Sequence, residues 1–159
     1  MHVEESVEIH RPVDEVFAYV CDVANHPRWM AHVEEVRTHA PGPPRQGDAF
    51  VVAIRSVGRR FETPYERTSY EAGRRFRDRA TGGPIPDQRW HSAVEPVPGG
   101  TRVTRAVDVD SRGVLKLLEP IQKLSAGRQL TRDLQTLKRL LETPDAPASS
   151  IGDSYRSRG

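Results

Sequence analysis

Five runs between Ala49 and Ser111 alternate apolar with polar residues: Ala49 to Val57, Arg60 to Tyr70, Arg74 to Thr81, Gln88 to Val97 and Arg102 to Ser111. A period of two belongs to strands that bury one face. The connections SVGR, EAGR, TGGPIPD and PVPGGT are short and rich in Gly or Pro, so neighbouring runs close as hairpins of an antiparallel meander. After Gly113 the period lengthens to about 3.6 and the chain reads as helix to Glu142.

Ahead of the meander the pattern is mixed. Val3, Val7 and Ile9 share one parity in a half-buried strand from His2 to Arg11, and Pro12 ends it. Asp14 or the Pro12–Val13 pair starts a helix whose apolar face is Val16, Phe17, Val20 and Cys21. Asp22 breaks or recaps it, and Asn25 followed by His26–Pro27 marks a second, short helix that runs out at Trp29–Met30. VEEVRT at 33 to 38 reads as a strand, and APGPPRQGD from Ala40 to Asp48 as a wide turn.

The last helix carries two apolar stripes. Val114, Leu117, Leu118, Ile121 and Leu124 form one, and Leu130, Leu134, Leu137 and Leu141 the other, roughly 165° around an ideal helix. A straight helix on one core buries only one of them. Either the helix kinks or breaks near Pro120 or Ser125–Ala126–Gly127, or its N-terminal half faces a cavity or a partner. Residues 1–142 read as a single domain, large enough to enclose a cavity. Residues 143–159 hold too few large apolar side chains to bury and read as a mobile tail.

Composition narrows the function classes. The 24 basic residues against 22 acidic ones give a net charge of +2, and all but Lys116, Lys123 and Lys138 of the basic ones are arginine. Acidic residues are interspersed throughout and no recognition motif accompanies Arg74, Arg75, Arg77 and Arg79, so nucleic acid is not an expected partner. No run of ~18 apolar residues exists, and the N-terminus is acidic and alternating, so neither membrane insertion nor a secretory signal is expected. The single cysteine, Cys21, excludes an internal disulfide, reads as a small core residue, and suits a reducing cytoplasm. His26, His32, His39 and His91 have no metal-ligand spacing, GxSxG is absent, and the paired glycines sit in hairpins, so no metal or cofactor is expected.

The order strand, two short helices, six strands, long helix resembles the polyketide cyclase/dehydrase and lipid-transport superfamily, the SRPBCC or START-like proteins. The matching stretches are VEIHRPVDEVFAYVCDVANHPRWM at the front, GDAF at 47 to 50, VPGGTRVTRAVDVDSRG at 97 to 113 and DLQTLKRLLE at 133 to 142. The resemblance implies an α+β helix-grip fold, as in the birch-pollen-allergen-like proteins: β-α-α-β6-α, with a curved antiparallel sheet around the long C-terminal helix. The two short helices would plug one end of the groove, and Trp29 would stand at the end of that plug, closing the core or touching a ligand.

With the apolar parity taken inward, the concave face holds Phe50, Val52 and Ile54; Phe61, Thr63, Tyr65 and Arg67; Phe76, Asp78 and Ala80; Trp90, Ser92 and Val94; and Val103, Arg105, Val107 and Val109. Such a lining, apolar and aromatic with a few polar groups, suits a small-molecule pocket, with Trp29 at one end and Leu117, Leu118 and Ile121 from the helix. An inward Arg can hold a carboxylate, phenolate or enolate oxygen, and Tyr65 or Asp78 can move a proton. Equally, Arg67 or Arg105 can pair with Asp78 and serve the fold alone. The expected function is binding of a hydrophobic, aromatic or polyketide-like molecule by a monomer or homodimer. The alternatives are a cyclase, aromatase or dehydratase with Tyr65, Arg67 and Asp78 as catalytic candidates, and a self-resistance protein that sequesters a toxic natural product.

Overall fold

The structure is a computed structural model and describes residues 1–110, 112–113 and 115–143. Strand β1 (His2–Ile9) is followed by helix α1 (Val13–Cys21), a 3-10 turn at Val23–Asn25, the one-turn helix α2 (His26–Trp29) and strand β2 (Val33–Thr38). Strands β3 (Ala49–Ser56), β4 (Arg59–Glu71), β5 (Arg75–Ala80), β6 (Arg89–Val97) and β7 (Gly100–Asp108) then run as a meander, and α3 (Leu115–Glu142) closes the chain. The sheet order is β1-β7-β6-β5-β4-β3-β2, antiparallel throughout, so the first strand joins beside the last. The curved seven-stranded sheet with its long C-terminal helix is the helix-grip architecture.

Local chemistry explains the joints. Val57 and Gly58 both adopt positive φ, 51° and 73°, the two-residue turn that matches strand twist between β3 and β4. Asp22 accepts a hydrogen bond from the Ala24 N–H and so starts the 3-10 turn that α2 continues, with Pro27 in its first turn, where its missing N–H costs nothing. Where β7 begins, a Cβ on Gly100 would lie 2.1 Å from the Ile9 carbonyl oxygen. Only glycine lets the two strands approach there, and Thr101 Oγ1 beside it donates to the Arg11 carbonyl at 2.7 Å.

The core forms where α1, α2 and the C-terminal half of α3 meet the sheet. Val16, Phe17, Val20 and Cys21 bury one face of α1, and Leu130, Leu134, Leu137 and Leu141 bury one face of α3 against Val3, Val7, Ile9 and Val103. Each such side chain contributes about 1.5–3 kcal/mol by leaving water.

The first half of α3 behaves differently. It is continuous helix through Pro120, and Leu117, Leu118, Ile121 and Leu124 stand 81, 47, 70 and 57 % exposed. The two stripes are therefore not re-phased by a break: the second faces the core and the first faces away from it. Leu117, Leu118 and Ile121, expected to line a cavity, are not packed on the sheet. The physical reason is that α3 seats chiefly on the edge strand β1 and on α2, through its C-terminal half. Val114 and most of the segment read as a tail lie outside the described residues.

Candidate ligand site on the concave face

Two arginines are buried on the concave face, on adjacent rows of the sheet. In one row Arg67 stands beside Asp78, and Asp78 beside Trp90; in the next, Phe76 stands beside Ser92, Ser92 beside Arg105, and Arg105 beside Glu5.

Four of the five N–H donors of Arg67 are engaged with protein. Its Nε and Nη2 donate to the two Asp78 oxygens at 2.8 and 3.2 Å, and Nη1 donates to the carbonyls of Cys21 and Pro44 at 3.0 and 2.8 Å. Its guanidinium also lies 4.1 Å from the ring centre of Phe76. This one side chain ties β4 to β5, to the end of α1 and to the loop before β3, which is the structural alternative raised by the sequence.

Arg105 has weaker contacts. Its Nη1 reaches Ser92 Oγ at 3.4 Å and its Nη2 reaches Met30 Sδ at 3.9 Å, and it forms no ion pair among the described residues. The guanidinium lies 4.6 Å from the Trp90 ring centre and 5.2 Å from that of Trp29. Burial lowers its pKa to about 10, opposed at longer range by the carboxylates of Asp78 and Asp133, so it remains a cation at neutral pH. Beside it, Trp29 is buried, and its indole Nε1 has no partner among the described residues. His26 packs edge-on against Trp29, its ring centre 5.6 Å away. Burial, and then the nearby Arg105 charge, hold the His26 pKa well below the usual imidazole value, and its Nε2 lies 3.4 Å from the Val20 carbonyl.

Toward β3 the lining opens. Ile54, Phe61, Tyr65 and Trp90 face inward yet remain half-buried, whereas Phe50, Val52, Phe76, Asp78 and Ser92 are buried. Phe50 stacks on Tyr65 with ring centres 5.6 Å apart, and the Tyr65 hydroxyl donates to Gln88 Oε1 at 3.1 Å. Burial raises the Tyr65 pKa, so its hydroxyl stays protonated and serves as a donor.

The structure thus brings Trp29, Trp90, Ser92 and Arg105 together in one cluster, and Phe50 with Tyr65 in another. It binds Arg67 and Asp78 to each other. A separate open groove of about 910 Å³ runs along β1 and α3, bordered by Val3, Glu5, Leu124 and Gly127 among others, and none of the residues expected as lining borders it. His26, Met30 and Gln88 were missed. Only His26 left a trace in the sequence, three residues before Trp29 on a short helix. On the convex face Arg75 pairs with Glu71 and Arg79 with Asp87, and His91 Nε2 lies 2.9 Å from Asp108.

The helix-grip fold and the concave face lined by Trp29, Trp90 and Arg105 define a class, and comparison supplies the family. The family described as "Polyketide cyclase / dehydrase and lipid transport" matches residues 1–142, and the chain belongs to it. Among solved structures, TTHA0849 from Thermus thermophilus is similar at TM-score 0.73 and 16 % identity, covering 87 % of this chain and 95 % of that one. A START superfamily protein from Mycobacterium smegmatis is similar at 0.72 and 17 %, covering 89 % and 97 %. The Aha1 dimer from Colwellia psychrerythraea follows at 0.66 and 12 %, covering 90 % and 97 %. No curated protein matches the sequence. No described helix is long and apolar enough to cross a membrane.

Proposed function

We propose that this protein binds a hydrophobic, aromatic or polyketide-like small molecule on the concave face, in the cytoplasm, and releases it unchanged. One observation carries the reading: Ile54, Phe61, Tyr65 and Trp90 point to the inside of the sheet and yet are only partly covered by the protein's own side chains. Apolar side chains on an inner face gain most by being covered, at about 25 cal/mol per Å², and a flat aromatic ligand provides that cover. Family membership supports the same ligand class.

Binding is favoured over cyclisation or dehydration because the expected acid–base groups are engaged. Asp78 accepts two hydrogen bonds from Arg67, one at each oxygen, and the Tyr65 hydroxyl is held by Gln88 with a raised pKa. A general base must lie within hydrogen-bond reach of the substrate proton, and both oxygens of Asp78 are turned to Arg67. The test is tryptophan fluorescence titration against polyaromatic and polyketide-like compounds, followed by native mass spectrometry. Quenching with the compound recovered at its original mass is the expected result. Recovery of a compound one water lighter, or cyclised, would replace binding with catalysis.

A further inference from the structure

We propose that Arg105 and the indole N–H of Trp29 receive an anionic oxygen of the ligand, a carboxylate, enolate or phenolate, so that the molecule bound on the concave face is an aromatic acid and not a neutral hydrocarbon. This rests on the reading of the concave face as a ligand site.

The argument is one of donors without acceptors. A guanidinium carries five N–H donors and no acceptor, and an indole carries one donor. Arg105 spends two contacts on weak partners, the Ser92 hydroxyl at 3.4 Å and the Met30 sulfur at 3.9 Å. Trp29 Nε1 has no partner among the described residues. Neither can satisfy the other, because both only donate.

Two of the three acidic groups nearest Arg105 are committed to other partners. Asp78 is held by Arg67, and Asp133 accepts from the Ala31 N–H at 3.3 Å and from Gln129 at 2.8 Å. Glu5 stands opposite Arg105 in the register but forms no ion pair with it. His26 is neutral and supplies no negative charge. The faces of Trp29 and Trp90 offset part of the buried cation's desolvation, yet a π face does not replace an oxygen acceptor. A carboxylate, with two oxygens and about four lone-pair sites, accepts from both donors while its aromatic body lies along Trp90 and Tyr65.

A matched pair of probes tests this: anilinonaphthalenesulfonate and phenylnaphthylamine, one aromatic framework with and without the anion. Fluorescence titration of the unaltered protein should show the sulfonate bound roughly ten-fold or more tighter, and naphthoate should displace it. Arg105→Met should cost the sulfonate roughly ten-fold or more and the amine less than about two-fold, and Trp29→Phe should follow with a smaller loss of the same selectivity. Equal affinity for the two probes, or an Arg105→Met loss shared by both, overturns the anion site and leaves the hydrophobic site standing. Failure of both probes to bind the unaltered protein overturns both. If Arg105→Met does not fold, Arg105→Lys together with the probe pair on the unaltered protein decides.

Discussion

Arg67 on β4 and Arg105 on β7 lie on the same face of the same sheet, 0 and 6 % exposed, and each stacks on aromatic rings. Arg67 meets a carboxylate in bidentate geometry and two backbone carbonyls; Arg105 meets a hydroxyl, a thioether and two indoles. Depth and charge are alike, so they do not decide which arginine is structural. The partner set does: a guanidinium with four of its five donors on a carboxylate and two carbonyls holds the fold, and one whose donors meet only weak partners has capacity for something else.

The largest expected effect is on the satisfied side. Arg67→Met leaves the Asp78 carboxylate buried without its cation and strips the Cys21 and Pro44 carbonyls of their donor, which should cost about 3–5 kcal/mol in chemical denaturation. A loss below about 1 kcal/mol would erase the distinction between the two sites. The double variant Arg67→Met with Asp78→Leu should regain about half of that loss or more, since replacing a buried ion pair with apolar side chains is often neutral. No regain would mean that the carbonyl contacts, and not the ion pair, carry the stability.

How far this was legible in the sequence depends on distance along the chain. The period of two placed Phe50, Val52, Phe76, Asp78, Ser92 and Arg105 on one face, and those residues are buried. Alternation does not say which inward residue stands beside which. That Arg67 faces Asp78 while Arg105 faces Ser92 follows from register, which loop lengths and bulges set jointly. The bulge between Arg67 and Ser69 is a case in point: it shifts the parity of β4, so Tyr70 turns inward onto the Phe17 ring 5.9 Å away, with no sign in the residues around it. In α3 the two stripes were visible, but whether they implied a break or an exposed half depends on where the helix seats on β1. His26 stands out in the sequence only as the start of a short helix, because its edge-on place against Trp29 comes from the tertiary fold.

A smaller effect comes from His26, which borders the Arg105 cluster. Its pKa in the folded protein lies well below its unfolded value of about 6.5, so below that pH the unfolded chain binds a proton that the folded chain does not. Stability then falls with acidification, by about 1 kcal/mol between pH 6.5 and 5.5, and denaturation curves of the unaltered protein and of His26→Gln should separate over that interval. Parallel curves would mean that His26 takes up its proton without leaving its buried position.

The smallest expected change in stability is also the sharpest contrast. In Arg105→Met a thioether chain of similar reach replaces a buried cation that has no ion pair, beside Met30 and between two indoles with which sulfur packs well. Removing such a charge removes its desolvation cost and leaves only Ser92 Oγ short of a weak donor, so the unliganded variant should be within about 1 kcal/mol of the unaltered protein, on the stable side if it differs. Thermal denaturation without ligand checks this. A loss comparable to that of Arg67→Met would show Arg105 to be a second structural clamp, with Glu5 or Asp133 as the counter-ion it reaches in solution. Unchanged stability together with lost affinity for an anionic ligand is what an arginine kept for its ligand requires.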